Sequence, residues 1–136
     1  MKMSSIHPTA LIDSSATLGE GVEVGPYSVI GADVRIGEGS VLMSHVTVEA
    51  RTVLGDRNRL HPGCVLGGEP QDRKFAGEPT CCRIGDDNDI REHVTIHRGT
   101  GNGGGETVVG SNNLIMVGAR VAHDCCIGDR TVIANQ

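Results

Sequence analysis

The chain has 136 residues, enough for one domain, and its formal net charge of −5 with 21% charged residues fits a mildly acidic soluble protein and excludes a basic nucleic-acid binder. Tyr27 and Phe75 are its only aromatic residues, tryptophan is absent and glycine reaches 20, so a core built around large fillers is excluded as well. The opening MKMSSIHPTA has no apolar run of the secretory kind, and no stretch approaches the ~18 apolar residues of a membrane span, which predicts a cytoplasmic protein with no transmembrane segment.

From the start of the chain the aliphatic residues keep a period of six. They stand at Ile6, Ile12, Leu18, Val24, Ile30, Ile36, Leu42, Val48, Leu54, Leu60 and Leu66. Glycine follows at Gly19, Gly25, Gly31, Gly37, Gly55 and Gly67, where a tight corner favours a residue without a Cβ. Two residues before each aliphatic position the side chain is small or β-branched, from Ala10 and Ala16 through Val34 and Ser40 to Thr52 and Cys64, with Asn58 the exception. Positions i and i−2 share one face of a strand, so each hexad points one large and one small residue inward and then turns. An amphipathic helix would need apolar residues at i, i+3, i+4 and i+7, a stripe that this period cannot supply. The pattern predicts an all-β parallel solenoid of about six stacked coils, roughly 30 Å long at ~4.8 Å per coil.

Two segments interrupt it. The first is GGEPQDRKFAGEPTCCR, Gly67 to Arg83, after which the phase resumes at Ile84, Ile90 and Ile96. Leu66 and Ile84 are eighteen residues apart, three whole hexads, so register is expected to pass through this interruption intact. The second is HRGTGNGGGET, His97 to Thr107, followed by Val109, Ile115, Val121, Ile127 and Ile133. Val109 comes thirteen residues after Ile96 instead of twelve, so one residue is expected to loop out.

Because only inward positions hold a solenoid together, function is sought in these interruptions and on outward side chains. The cluster Gln71, Asp72, Arg73 and Lys74 reads either as a solvated turn or as contacts for a polar, phosphorylated ligand. The glycine-rich second segment lacks G-x-x-x-x-G-K-[ST] and a following helix, so it is read as a flexible loop and not as a phosphate cradle. The five cysteines, Cys64, Cys81, Cys82, Cys125 and Cys126, include two adjacent pairs without C-x-x-C spacing and read as reduced, packed thiols.

Of the six histidines, His7, His45 and His61 lie in regular hexads, as solvent-facing or corner residues. His93, His97 and His123 fall near the irregular half, where a three-histidine zinc site is conceivable, although their spacing does not require one. His123, two residues after Val121, occupies an outward or corner position, and imidazole, with an ordinary pKa of ~6.5, is a ready proton acceptor near neutral pH. Asp124 follows directly, and a carboxylate can orient an imidazole and stabilise its protonated form. Neighbours along a strand point apart, so the dyad requires a corner.

The stretches GEPQDRKFAGEPT, IREHVTIHRGT, VGSNNLIMVGARVAHDC and IHPTALID together resemble the UDP-N-acetylglucosamine O-acyltransferases of lipid A biosynthesis, over essentially the whole chain. The resemblance implies a left-handed parallel β-helix, a cytoplasmic homotrimer, no cofactor, and transfer of an (R)-3-hydroxyacyl group from acyl carrier protein to the 3-hydroxyl of the sugar nucleotide. It implies His123 as general base and Asp124 as its support. It implies Gln71, Asp72 and Lys74 as donor and nucleotide contacts, and His97 in the same cleft between subunits. Arg120 stands where many members carry histidine, at a substrate contact near the base. The family continues with further coils and a helical C-terminal domain, so this chain is expected to be a β-helix domain that stops within a repeat. Two other readings of the same residues are a non-catalytic solenoid scaffold and a zinc-dependent hydratase of the γ-carbonic-anhydrase kind.

Overall fold

The structure is a computed structural model that describes residues 3–136. Among these residues the chain forms nineteen short strands, from Ser5–Ile6 to Val132–Ile133, and no α-helix. All pairings are parallel, and each strand pairs with the third strand before and after it, which sorts them into one seven-stranded and two six-stranded sheets. The chain thus winds through three faces in turn, and every third strand returns to the same face one coil further on.

Hexad spacing produces this winding directly. Ser5 pairs with Glu23, Glu23 with Val41 and Val41 with Arg59, each step eighteen residues, or three hexads. Both inward positions of the hexad are buried. Val24, Ile36, Val48 and Leu66 are closed off from solvent, and so are the small residues Val22, Val34, Val46 and Cys64 two places before them. The end coil is looser, with Ile6 48% exposed. Burial in this interior pushes the Cys64 and Cys82 thiols up to about 12, which keeps them neutral and unreactive.

Asn58, the exception in the sequence pattern, begins a buried polar ladder. Its Oδ1 accepts from the amide and the side-chain Nδ2 of Asn88 at 2.9 and 3.0 Å, and its own Nδ2 donates to the Gly85 carbonyl at 2.8 Å. Asn88 repeats the arrangement one coil on, donating to Gly110 O and accepting from the Asn113 amide. Asn113 then donates to Gly128 O and accepts from the Thr131 amide. The corner carbonyls and amides that the turns leave unpaired are satisfied by these side chains, as burial demands.

Apart from Gly67, at φ 76°, the glycines after the aliphatic positions have a different cause from the one the sequence suggests. Gly37, Gly55, Gly85 and Gly110 are not in the left-handed region; a Cβ on any of them would strike the backbone and the side chain of the next coil. At Gly55 the obstacle is Gly85 and Asp86, whose Oδ1 accepts the Asp56 amide at 2.7 Å. The left-handed corner positions are held instead largely by non-glycine residues, among them Tyr27, Asp33, His45, Arg57, His93 and Asp124.

The first interruption keeps register as expected, and the second differs from expectation. Arg59 pairs with Asp89, thirty residues on, and Asp89 with Leu114, twenty-five on, where a plain coil takes eighteen. The first insertion therefore removes twelve residues from the coil and the second removes seven. Twelve is two hexads, which is why the phase looks unbroken although residues 69–80 form no strand. The thirteen-residue gap from Ile96 to Val109 likewise hides one hexad that never forms, so seven residues loop out where one was expected.

Two measurements test this interior. Asn88→Ala orphans the Asn113 amide and leaves the Gly110 carbonyl only the longer 3.2 Å bond from the Gly85 amide, and should lower stability by about 2 kcal/mol in urea unfolding. Native-state alkylation should modify the exposed Cys126 while sparing Cys64 and Cys82 until the protein unfolds.

Candidate functional site

Both insertions leave the helix at the same corner. The turn from the second face to the third is made by residues 49–52 in one coil, then by the first loop, then by the second loop, and then by Ala122 to Cys125. Residues far apart in sequence are stacked there because successive coils must superpose.

At the top of this stack, Asp124 takes a left-handed conformation, φ 63°, in the two-residue turn His123–Asp124. The turn swings the two side chains together: His123 Nδ1 lies 2.8 Å from Asp124 Oδ2. Thr100, from the loop one coil below, donates its amide to Oδ1 and its hydroxyl to Oδ2, each at 2.7 Å. The Asp124 amide donates to Thr107 Oγ1 at 2.9 Å. Burial works to raise the Asp124 pKa, but the hydroxyl and amide of Thr100 and the adjacent His123 outweigh it and hold the carboxyl below its ordinary value. An ionised carboxylate only accepts hydrogen bonds, so His123 must carry its ring proton on Nδ1 when neutral, which leaves the Nε2 lone pair free. The His123 side chain remains 31% exposed, against 17% for Asp124. The arrangement can take a proton from a bound hydroxyl.

One coil lower, His97 Nδ1 bonds to the Glu69 carbonyl at 2.8 Å, fixing the start of the first loop. The carbonyl can only accept, so Nε2 is the free nitrogen of neutral His97 too. Arg98 fastens the same loop from its other side. Its amide donates to Gly68 O at 2.9 Å, its Nη1 donates to Gly67 O at 3.2 Å, and its guanidinium lies 5.3 Å from the centre of the Phe75 ring. Within the loop, Asp72 Oδ1 caps the Lys74 amide at 2.9 Å, and the side chains of Gln71 and Lys74 are exposed. Among the described residues of one chain, no hydrogen bond joins Gln71, Asp72 or Lys74 to His123. Arg120 is exposed on strand Arg120–Val121, in register with Thr95.

Sequence reasoning missed Thr100, Arg98 and the role of Phe75. The dyad itself needed only the corner. His93 sits at a different corner, stacked on Gly63, so it is not brought to His97 and His123; among the described residues no cluster of three or more His, Cys, Asp or Glu could hold a metal ion. No helix among the described residues is long and apolar enough to cross a membrane.

Residues 33–68 and 106–136 match the family described as bacterial transferase hexapeptide (six repeats), on either side of the insertions. Among solved structures, the chain is 46% identical to UDP-N-acetylglucosamine O-acyltransferase from Moraxella catarrhalis RH4, with a TM-score of 0.92 over 93% of this chain and 49% of that one. The chain belongs to the hexapeptide-repeat acyltransferase family.

The enzyme from Acinetobacter baumannii is 45% identical, with the same TM-score of 0.92, and covers 93% of this chain and 49% of its own. UDP-N-acetylglucosamine acyltransferase from Campylobacter jejuni is 34% identical, TM-score 0.89, over 94% of this chain and 50% of its own. The left-handed parallel β-helix is therefore the fold, and the chain spans about half the length of the structures it matches.

The depressed Asp124 pKa carries a pH signature. A carboxyl lowered on folding contributes stability that is present above its unfolded pKa and is lost as pH falls through the folded value. Asp124→Asn should therefore destabilise the protein at neutral pH, and the gap from wild type, followed by thermal melting, should close as acid carries the solution through and below the ordinary aspartate range.

Proposed function

We propose that the full-length protein is an O-acyltransferase that moves an (R)-3-hydroxyacyl group from acyl carrier protein to the 3-hydroxyl of UDP-N-acetylglucosamine, the first step of lipid A synthesis. The observation that carries this reading is the His123 Nε2 lone pair, left free by the Nδ1 bond to Asp124 on a side chain that is 31% exposed. The likeness to solved UDP-N-acetylglucosamine acyltransferases over 93% of the chain supports the substrate class.

In this reaction His123 removes the proton of the sugar hydroxyl as its oxygen attacks the thioester carbonyl. The tetrahedral intermediate collapses to the ester, the carbon–sulfur bond breaks, and the imidazolium returns the proton to the departing carrier thiolate. Asp124 keeps the ring in the reactive tautomer and offsets its transient positive charge. No acyl-enzyme is formed, so Cys125 and Cys126 have no chemical role.

Among the described residues of one chain no hydrogen bond joins His123 to Gln71, Asp72 or Lys74, and the His123 side chain is 31% exposed. A second wall for the site is therefore assigned to a neighbouring copy in a homotrimer, whose first loop would bring Gln71, Asp72 and Lys74 to this His123, with His97 and Arg120 along the same cleft. Further coils and a helical C-terminal domain complete the protein, which works in the cytoplasm.

The test is acyl transfer in the full-length protein with UDP-N-acetylglucosamine and 3-hydroxyacyl carrier protein. His123→Ala should lower turnover about 100-fold to 10,000-fold, the usual worth of a positioned base, with much less change in substrate binding. Cys125→Ala and Cys126→Ala should each keep most activity. Near-native turnover in His123→Ala would overturn the assignment.

A further inference from the structure

The glycine-rich second loop was expected to be flexible, yet it is a folded cradle around one carboxylate. Thr100, only 4% exposed, spends both its donors on Asp124, one on each oxygen. The loop then closes on Thr100: Gly103 donates to its hydroxyl oxygen at 3.0 Å and Gly105 to its carbonyl at 2.9 Å. A Cβ on Gly103 would overlap the Asp124 carboxylate, so glycine is needed there for close approach and not for flexibility. Gly105 in turn accepts the Cys81 amide through its carbonyl at 3.0 Å, which ties the loop to the coil.

We infer that Thr100 is a positioning residue for the reaction, the far member of a chain Thr100–Asp124–His123, and that Gly103 is there to let the carboxylate seat against the loop.

The chemistry of the chain follows from what each atom can accept. Asp124 Oδ2 receives two donors, the Thr100 hydroxyl and the His123 Nδ1 proton, and so links them. With the hydroxyl removed, the carboxylate keeps one donor from the loop, the Thr100 amide, and is free to rotate about it. The imidazole then loses its fixed direction, and a base that points elsewhere must be reoriented at every turnover. Gly103→Ala reaches the same end differently, because it removes no hydrogen-bonding group and only pushes the carboxylate away.

This inference rests on the reading of His123 as general base, and the experiment separates the two. In the full-length protein, Thr100→Val should lower kcat by about 10-fold or more, the worth of one hydrogen bond to a charged group, with KM little changed. Thr100→Ser should restore most of it, and Gly103→Ala should reproduce the loss. A second readout does not need activity: followed by carbon NMR, the Asp124 carboxyl should titrate at a higher pH in Thr100→Val than in wild type, and Thr100→Ser should return it. If Thr100→Val moves neither kcat nor the Asp124 titration while His123→Ala abolishes turnover, Thr100 is not a positioning residue and the base assignment survives. A shifted titration with unchanged kcat also overturns the positioning role. Near-native turnover in His123→Ala sinks the reading itself, whatever Thr100 does. Should Thr100→Val fail to fold, judged by its melting curve, Thr100→Ser and Gly103→Ala decide the matter alone: native kcat in Gly103→Ala would overturn the proposal.

Discussion

Everything in this molecule depends on the in-register pairing of each coil with the one before it. The Gly25 amide reaches the Leu42 carbonyl, Val29 reaches Val46, and Gly37 reaches Leu54, all at 2.8 to 2.9 Å and each across seventeen residues, as strands paired eighteen residues apart require. Because a parallel strand slipped by one residue would turn its buried side chains outward, the eighteen-residue step is enforced along the whole stack. Extra residues can leave only at a corner. An insertion made there projects from one edge of the prism, and a second insertion one coil later projects beside it. The candidate site is the product of that rule: two loops and the His123–Asp124 turn share a corner, although Gly67 and Asp124 are fifty-seven residues apart in sequence.

The pairing also explains why the chain manages without aromatic fillers. A triangular interior that receives one large and one small residue from each side has little room for a ring, and aliphatic side chains stacked on copies of themselves fill it evenly. Asparagines at small inward positions are accommodated where their partners recur coil after coil. Asn58, Asn88 and Asn113 meet this condition because each carbonyl oxygen accepts from the coil above while each side-chain amide donates to a corner carbonyl. Burying any one of them alone would leave unpaired groups.

How much of this the sequence disclosed follows from the range of each interaction. The hexads announce the three-faced solenoid because burial repeats locally, and the same period identifies Asn58 as odd without saying that Asn88 and Asn113 complete it. The length of the insertions was not legible: twelve residues mimic two hexads, so phase alone cannot tell a loop from a coil. His123 and Asp124 could be paired from their adjacency once a turn was granted, and the AHDC resemblance marked them independently. Thr100 could not, because the hydrogen bond to Asp124 spans twenty-four residues and passes through a loop whose glycines look like punctuation. Glycine has one signature in sequence and two causes in structure, positive φ and close approach, and at Gly37, Gly55 and Gly103 the second is at work.

The left-handed corner explains why an aspartate, and not a glycine, can be used to hold the base. An L-residue in this region costs about 1 kcal/mol or more, which is why glycine is the usual occupant and why Asn and Asp are the better tolerated alternatives. At Gly21, Gly39, Gly63 and Gly118 the cheaper choice is made. Asp124 bears the cost and recovers it through the two donors of Thr100, charge-assisted hydrogen bonds to its carboxylate that a glycine could not accept. The strain is therefore coupled to the second loop: without Thr100 the left-handed aspartate would be held less firmly. Because the same loop supplies both the stabilisation and the orientation, the corner's stability and the direction of His123 depend on the same few atoms.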